Sequence, residues 1–256
     1  MKKILLTLAL FTHLNFAATP EQVEQYLLVS SAEEELLALE SQFSSMQNTF
    51  SKEDNASDNK TYDMQMLSLR FKDYLQKNLS EDEMTEVLEN YKNVILLQFV
   101  SASSNTQNHD ENETSNYLIS LKATPEASTR IELVDKISKK LYSKEAMIVM
   151  FDELMKPLIQ SGIGGKKMDD SMLKGMRENY LKTMIETSKN ETLFASKDFS
   201  MEELEALLKI AKTPAIDHET KAVFGAMAYS LKEFFMSMAS RYDVSKHQAP
   251  QNKTSK

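Results

Sequence analysis

Five glycines and five prolines are all that punctuate the 256 residues of this chain. A strand runs for only about 5–6 residues before it must reverse, and tight reversals draw on residues that tolerate positive φ or fix φ in advance. A sheet protein of this length would exhaust that supply several times over, so the scarcity predicts an all-α fold. Cysteine is absent, so helix packing must supply the stability that disulfides give many exported proteins. The 41% of apolar residues is enough to bury a core.

Helix starts are legible. Thr19-Pro20-Glu21-Gln22 places a hydroxyl at the cap, proline at the first helical position and a glutamine three residues on. Ser31-Ala32-Glu33-Glu34, Ser80-Glu81-Asp82-Glu83 and Ser200-Met201-Glu202-Glu203 read as capping boxes. Their clustered carboxylates face the positive end of a helix dipole and are read as caps, not as metal ligands. Apolar residues then recur every three or four positions: Leu36, Leu39, Phe43, Met46, Phe50; Met84, Val87, Leu88, Tyr91, Ile95; Met147, Phe151, Leu154, Leu158; and Phe224, Met227, Leu231, Phe234, Met238, Tyr242. The spacing predicts helices over 20–29, 32–50, 60–79, 81–103, 125–141, 144–160, 168–189, 201–212 and 217–242. Between them, 51–60 is a short polar stretch, 104–116 reads as a polar linker, 161–167 as a glycine-containing turn and 243–256 as a disordered tail.

The first residues have the layout of a secretory signal peptide: Lys2 and Lys3, an apolar run from Ile4 to Phe11, then Asn15-Phe16-Ala17-Ala18. The run is far shorter than the roughly 20 residues of a membrane span, so the expected product is a periplasmic or secreted chain, cut after Ala17 or Ala18, that does not span the membrane. The formal net charge is −8; losing Lys2 and Lys3 takes it to about −10. Nucleic acid is disfavoured as a partner, since its phosphates demand Lys and Arg.

The two halves echo each other. Leu79-Ser80-Glu81-Asp82-Glu83-Met84 ahead of Val87-Leu88 matches Phe199-Ser200-Met201-Glu202-Glu203-Leu204 ahead of Leu207-Leu208 at an offset of 120 residues. Thr19-Pro20-Glu21 echoes Thr124-Pro125-Glu126, and Ser31-Ala32-Glu33 echoes Ser143-Lys144-Glu145. The expected architecture is a helical bundle of two tandem repeat units: a signal peptide at 1–17, a first unit at 18–103, the linker at 104–116, a second unit at 117–242 and the tail at 243–256. The pattern of a small helical pair, an acidic capping box and a hydrophobic helix ending near Tyr or Ser-Pro resembles the secreted bacterial family known as domain of unknown function 2059. The first copy keeps the tyrosine of its motif in Asn90-Tyr91-Lys92-Asn93, the second a Thr213-Pro214 version of its Ser-Pro, and neither keeps its glycine. The resemblance implies an all-helical periplasmic protein and brings no catalytic residues.

Chemical motifs are sparse. His109 and His247 lie in polar segments, and His218, in Asp217-His218-Glu219, lacks a nucleophile elbow to serve; it reads as a solvated residue at a helix start. Neither His-Glu-x-x-His nor paired cysteines are present, so no zinc site is expected. Ser161 to Lys167 lacks the spacing of a phosphate loop. No catalytic, cofactor or metal residues are therefore assigned. Two other signals stand out. Asn55 and Asn112 head acceptor sequons with an acid two residues earlier, Glu53 and Asp110, which makes them candidate glycosylation sites. Met168, Met172, Met176 and Met184, with Tyr180 completing the spacing of four, lie on one side of a helix; pliable methionines line many promiscuous grooves. The expected role is non-enzymatic: an exported binding or interaction protein, chaperone-like, with an envelope protein or lipid as partner. The competing expectations are an envelope hydrolase working through carboxylates, with two acids in a polar cleft, and a purely structural or stress-related envelope protein.

Overall fold

The computed structural model describes residues 16–48, 57–106, 111–160 and 169–241. In chain order its helices are α1 (Pro20–Ser30), α2 (Ala32–Asn48), α3 (Ser57–Asn78), α4 (Glu81–Asn90), α5 (Val94–Thr106), α6 (Glu111–Lys122), α7 (Ala127–Leu141), α8 (Lys144–Met150), a π-helical turn (Phe151–Met155), α9 (Lys156–Gln160), α10 (Asp170–Ala195), α11 (Met201–Ala211) and α12 (Pro214–Arg241). The fold is all-α. The described residues contain no strand, and one isolated bridge pairs Ala17 with Ser80. There the Ala18 N–H donates to the Leu79 carbonyl (2.9 Å) and the Glu81 N–H to that of Phe16 (2.8 Å), which straps residues 16–18 across the start of α4. Ala18 is 1% exposed.

Helix α12 is the axis of the molecule. Ile216, Val223, Met227, Leu231, Phe234 and Phe235 are buried, and so are Ala222, Ala226 and Ala228 between them. A helix that is apolar on most sides belongs inside a bundle. Helix α3 lies along it, α4, α8 and the π turn cover further flanks, and α7 packs against both α10 and α11. Small residues on α12 let α3 approach: a Cβ on Gly225 would stand 2.6 Å from the Tyr74 hydroxyl. One continuous core takes Tyr26, Leu36, Phe71 and Met84 from the first half together with Leu154, Leu204, Leu231 and Phe234 from the second.

The capping boxes at Thr19, Ser80 and Ser200 are all formed, each hydroxyl accepting from a backbone N–H three residues on while Gln22, Glu83 or Glu203 reaches back. Ser31 differs from its expected role. A single residue joins α1 to α2, and the reversal forces Ser31 into the left-handed region (φ 57°), so it ends α1 instead of capping α2. Thr124 likewise does not open a helix: its hydroxyl donates to the Leu121 carbonyl (2.8 Å), and α7 starts at Ala127 with no side-chain cap. Ser143 does cap α8, accepting from the Ala146 N–H (3.2 Å).

The helix expected over 81–103 is broken. Residues 91–93 form a turn, with the Lys92 N–H donating to the Glu89 carbonyl and the Asn93 N–H to that of Asn90, before the Asn93 side chain accepts from the Ile95 N–H and starts α5. The polar stretch 104–116 is helical at both ends, since α5 continues to Thr106 and α6 begins at Glu111. Docking against α10 draws α6 into shape: Leu121 is buried and the Tyr117 ring meets Phe194 edge-on at 5.9 Å. The segment 144–160 is helical as expected but widens into the π turn immediately before Pro157. Proline has no N–H to donate four residues back, and its ring would crowd that carbonyl; the wider turn accommodates both defects. Helix α10 runs on to Ala195, where Arg130 of α7 donates to the Ser196 carbonyl (2.9 Å) and to that of Phe199, tying off the last turn.

Candidate functional site

The turn at 91–93 positions the chemistry. It drops the Tyr91 ring into the core beside Tyr26 of α1, edge-on at 5.9 Å. Both phenols donate to Oε1 of Glu219 on α12, Tyr26 at 2.9 Å and Tyr91 at 2.5 Å. Glu219 is 8% exposed. It sits on the apolar stripe of α12, between Ile216 and Val223, where the helical period would put a hydrophobic side chain. Burial pushes its carboxyl up to about 7, against the opposing pull of the two phenol hydrogen bonds. The same burial, with the carboxyl alongside, raises both phenols well above their usual range.

These groups line a cavity of about 100 Å³ between α1, α2, α5, α12 and the end of α7. Glu35 of α2 and Tyr142, just beyond α7, share it. Burial, then the charges of Glu191 and Glu219, push Glu35 up to about 7 as well. Leu96, Phe99, Val223 and Phe224 supply apolar wall, and none of the lining residues is Lys, Arg or His. Because Glu35, Val100, Ser103, Tyr142 and Phe224 are only half-buried, the cavity reaches the surface on their side.

A second, larger depression of about 350 Å³ lies between Tyr74, the π turn and Tyr229. Its charges are already answered: Asp152 pairs with Arg177 at 2.9 Å and Glu153 with Lys232 at 3.8 Å. The smaller cavity is the one that holds unanswered charge, and it is the stronger candidate site.

The residues singled out from the sequence fall elsewhere. Met172 and Met176 are exposed on α10, while Met184 and Tyr180 are half-buried, with the Tyr180 ring tilted at 44° to that of Phe151 at 5.5 Å. Neither cavity takes its lining from them, and Met168 lies outside the described residues. Asn112 is exposed in the first turn of α6; Asn55 lies outside the described residues. His218 does not line the cavity; its Nδ1 lies 3.2 Å from Glu83 of the α4 capping box. That proximity adds to the hydrogen bonds from Ser80, the main cause holding the Glu83 carboxyl below the usual range. Among the described residues no group of His, Cys, Asp and Glu is placed to hold a metal ion, and no helix is long and apolar enough to cross a membrane.

Glu219, Glu35, Tyr26 and Tyr91 were not legible as a site. Glu219 and Glu35 each fall in an acidic helix start, where a carboxylate reads as a dipole partner. The available signal was Glu219 on the apolar stripe Ile216, Val223, Met227. The motif stretches at Asn90-Tyr91 and Thr213-Pro214 do meet, through a hydrogen bond from Asn90 Nδ2 to Thr213 Oγ1 (2.9 Å). Compared with known proteins, the chain matches no family model, no curated protein and no solved structure.

Proposed function

We propose that this is an exported, non-enzymatic binding protein whose ligand site is the Glu219 cavity. The observation that carries the reading is the convergence of two carboxyls and three tyrosines on one small cavity reaching the surface. A few convergent polar groups in an otherwise apolar cavity are the usual make-up of a ligand site. A volume of about 100 Å³ suits a ligand of a few heavy atoms. The hydrolase alternative gains less support. Acid–base cleavage needs a polar cleft that admits a scissile bond between two carboxyls, whereas this cavity holds about 100 Å³ and is walled largely by Leu96, Phe99, Val223 and Phe224.

Export rests on the leader-like start, and a chain running from Ala18 fits the fold, since Ala18 is the first of the described residues packed into the core. The tandem-unit reading and the likeness to domain of unknown function 2059 draw support from element boundaries: α4 and α11 start 120 residues apart, as do α5 and α12. The exposed Met172 and Met176 support a second, chaperone-like contact with a larger partner along α10.

Native mass spectrometry of the protein recovered from its own envelope tests the reading. The expected spectrum shows the mature chain carrying a small added mass that leaves on denaturation and is missing from Glu219→Gln. A bare chain, or a ligand retained equally by the variant, would overturn it. The denatured mass also reports the cut bond and any glycan on Asn55 or Asn112.

A further inference from the structure

We infer that the Glu219 cavity binds a small organic cation, a protonated or quaternary amine of a few heavy atoms. The inference rests on the cavity being a ligand site and adds the ligand's chemistry. Three features select a cation. Both phenols donate to the same oxygen, Oε1 of Glu219, and the residue is more than nine-tenths buried. Glu35 brings a second carboxyl to the same space, and no basic side chain lines it. A buried carboxylate needs an opposite charge or a proton, and no basic side chain lines the cavity to supply the charge.

The walls decide which kind of cation. Tyr26, Tyr91, Tyr142 and Phe224 put aromatic rings around the carboxyls, and ring faces attract ammonium groups, quaternary ones above all. A hard metal ion would want about six oxygens, and no metal-holding group of side chains is found among the described residues. An anion would meet two carboxyls. A neutral apolar guest would leave both carboxyls without an opposite charge. A weakly hydrated organic cation satisfies the carboxyls and tolerates the hydrocarbon.

Binding of a cation must displace a proton wherever the carboxyls are protonated. Glu219 is faced by Tyr26 from α1, Glu35 from α2, Tyr91 from the turn and Tyr142 from the end of α7; Glu35 is faced in turn by Glu34 and by Glu191 of α10. All of these are acidic groups. For one carboxyl at about 7, the ionised fraction rises roughly tenfold from pH 6 to pH 8, and cation affinity rises with it.

The test is calorimetric titration and thermal unfolding of the mature chain with methylammonium, trimethylammonium and tetramethylammonium chlorides. Controls are sodium chloride at equal ionic strength and tert-butanol as a neutral guest of similar shape. At least one ammonium is expected to bind saturably and raise Tm, about tenfold more tightly at pH 8 than at pH 6. Glu219→Gln is expected to weaken it at least tenfold with an unchanged circular dichroism spectrum. Glu35→Gln, at a half-buried position, is expected to weaken it several-fold and serves if the first variant fails to fold. Saturable binding of tert-butanol as tight as that of the ammoniums would overturn the cation and leave the cavity reading standing. Binding unchanged in both variants would place it elsewhere and overturn the inference. No saturable binding by any probe, with no ligand retained from the envelope, would overturn both readings.

Discussion

Replacing Glu219 by Gln should make the unliganded protein more stable at pH 8 and flatten its dependence on pH. The carboxyl sits at about 7 in the fold against 4.5 ordinarily. Below pH 4.5 it is protonated in both folded and unfolded chains, and its contribution is fully present. Between pH 4.5 and 7 the unfolded chain releases the proton while the native state keeps it, so stability falls as pH rises, by about 1.4 kcal/mol per pH unit. Over that window the loss is about 3 kcal/mol, complete above pH 7. Glutamine has no proton to lose, and its amide oxygen can still accept from Tyr26 and Tyr91. The assay is urea unfolding followed by circular dichroism at pH 4.5, 6 and 8. The variant should match the wild type to within about 1 kcal/mol at pH 4.5 and exceed it by about 3 kcal/mol at pH 8. In a chain of this size that corresponds to about 6–12 °C in Tm. Glu83 and Asp135, held below their usual ranges, act at lower pH and cancel in the difference. A wild-type minus variant difference that stays flat from pH 4.5 to 8 would sink the argument, because the buried carboxyl would then not be carrying a proton.

Two backbone positions give sharper geometric tests. Gly225→Ala should cost about 1–2 kcal/mol even after the gain in helix propensity, since its Cβ would meet the Tyr74 ring; in the double variant with Tyr74→Leu most of that cost should vanish, and additive single effects in a double-mutant cycle would refute the clash. At Ser31, held at φ 57°, Gly should be neutral or slightly stabilising while Val loses about 1–2 kcal/mol; equal denaturation midpoints for the two would argue that the chain reverses some other way.

Local signals made much of the fold legible, and tertiary ones hid the rest. The starts of α1, α4, α8 and α11 could be read because a cap is a contact between residues three apart. The break at 91–93 could not, because Tyr91 keeps a helix-like conformation (φ −71°, ψ −5°) and the apolar spacing runs through it from Val87 to Ile95. Helix α6 was hidden for the opposite reason: Glu111 to Asn116 carries no apolar residue, and the helix depends on Tyr117 and Leu121 docking on α10. Ser31 looks like a cap in one dimension and becomes a left-handed joint only because α2 follows α1 with a single residue between them. The site was hidden most deeply, since Tyr26 and Glu219 lie 193 positions apart and nothing local announces that they touch.

On the proposed reading, the strap is where a leader peptidase would cut, between an exposed Ala17 and a buried Ala18. Such a cut would remove the Phe16 carbonyl that accepts from the Glu81 N–H and leave the Ala18 nitrogen, now a free amine, 2.9 Å from the Leu79 carbonyl. The start of α4 would keep one of its two tethers to the strap, and the chain would begin on a charged group seated against the rim of the core.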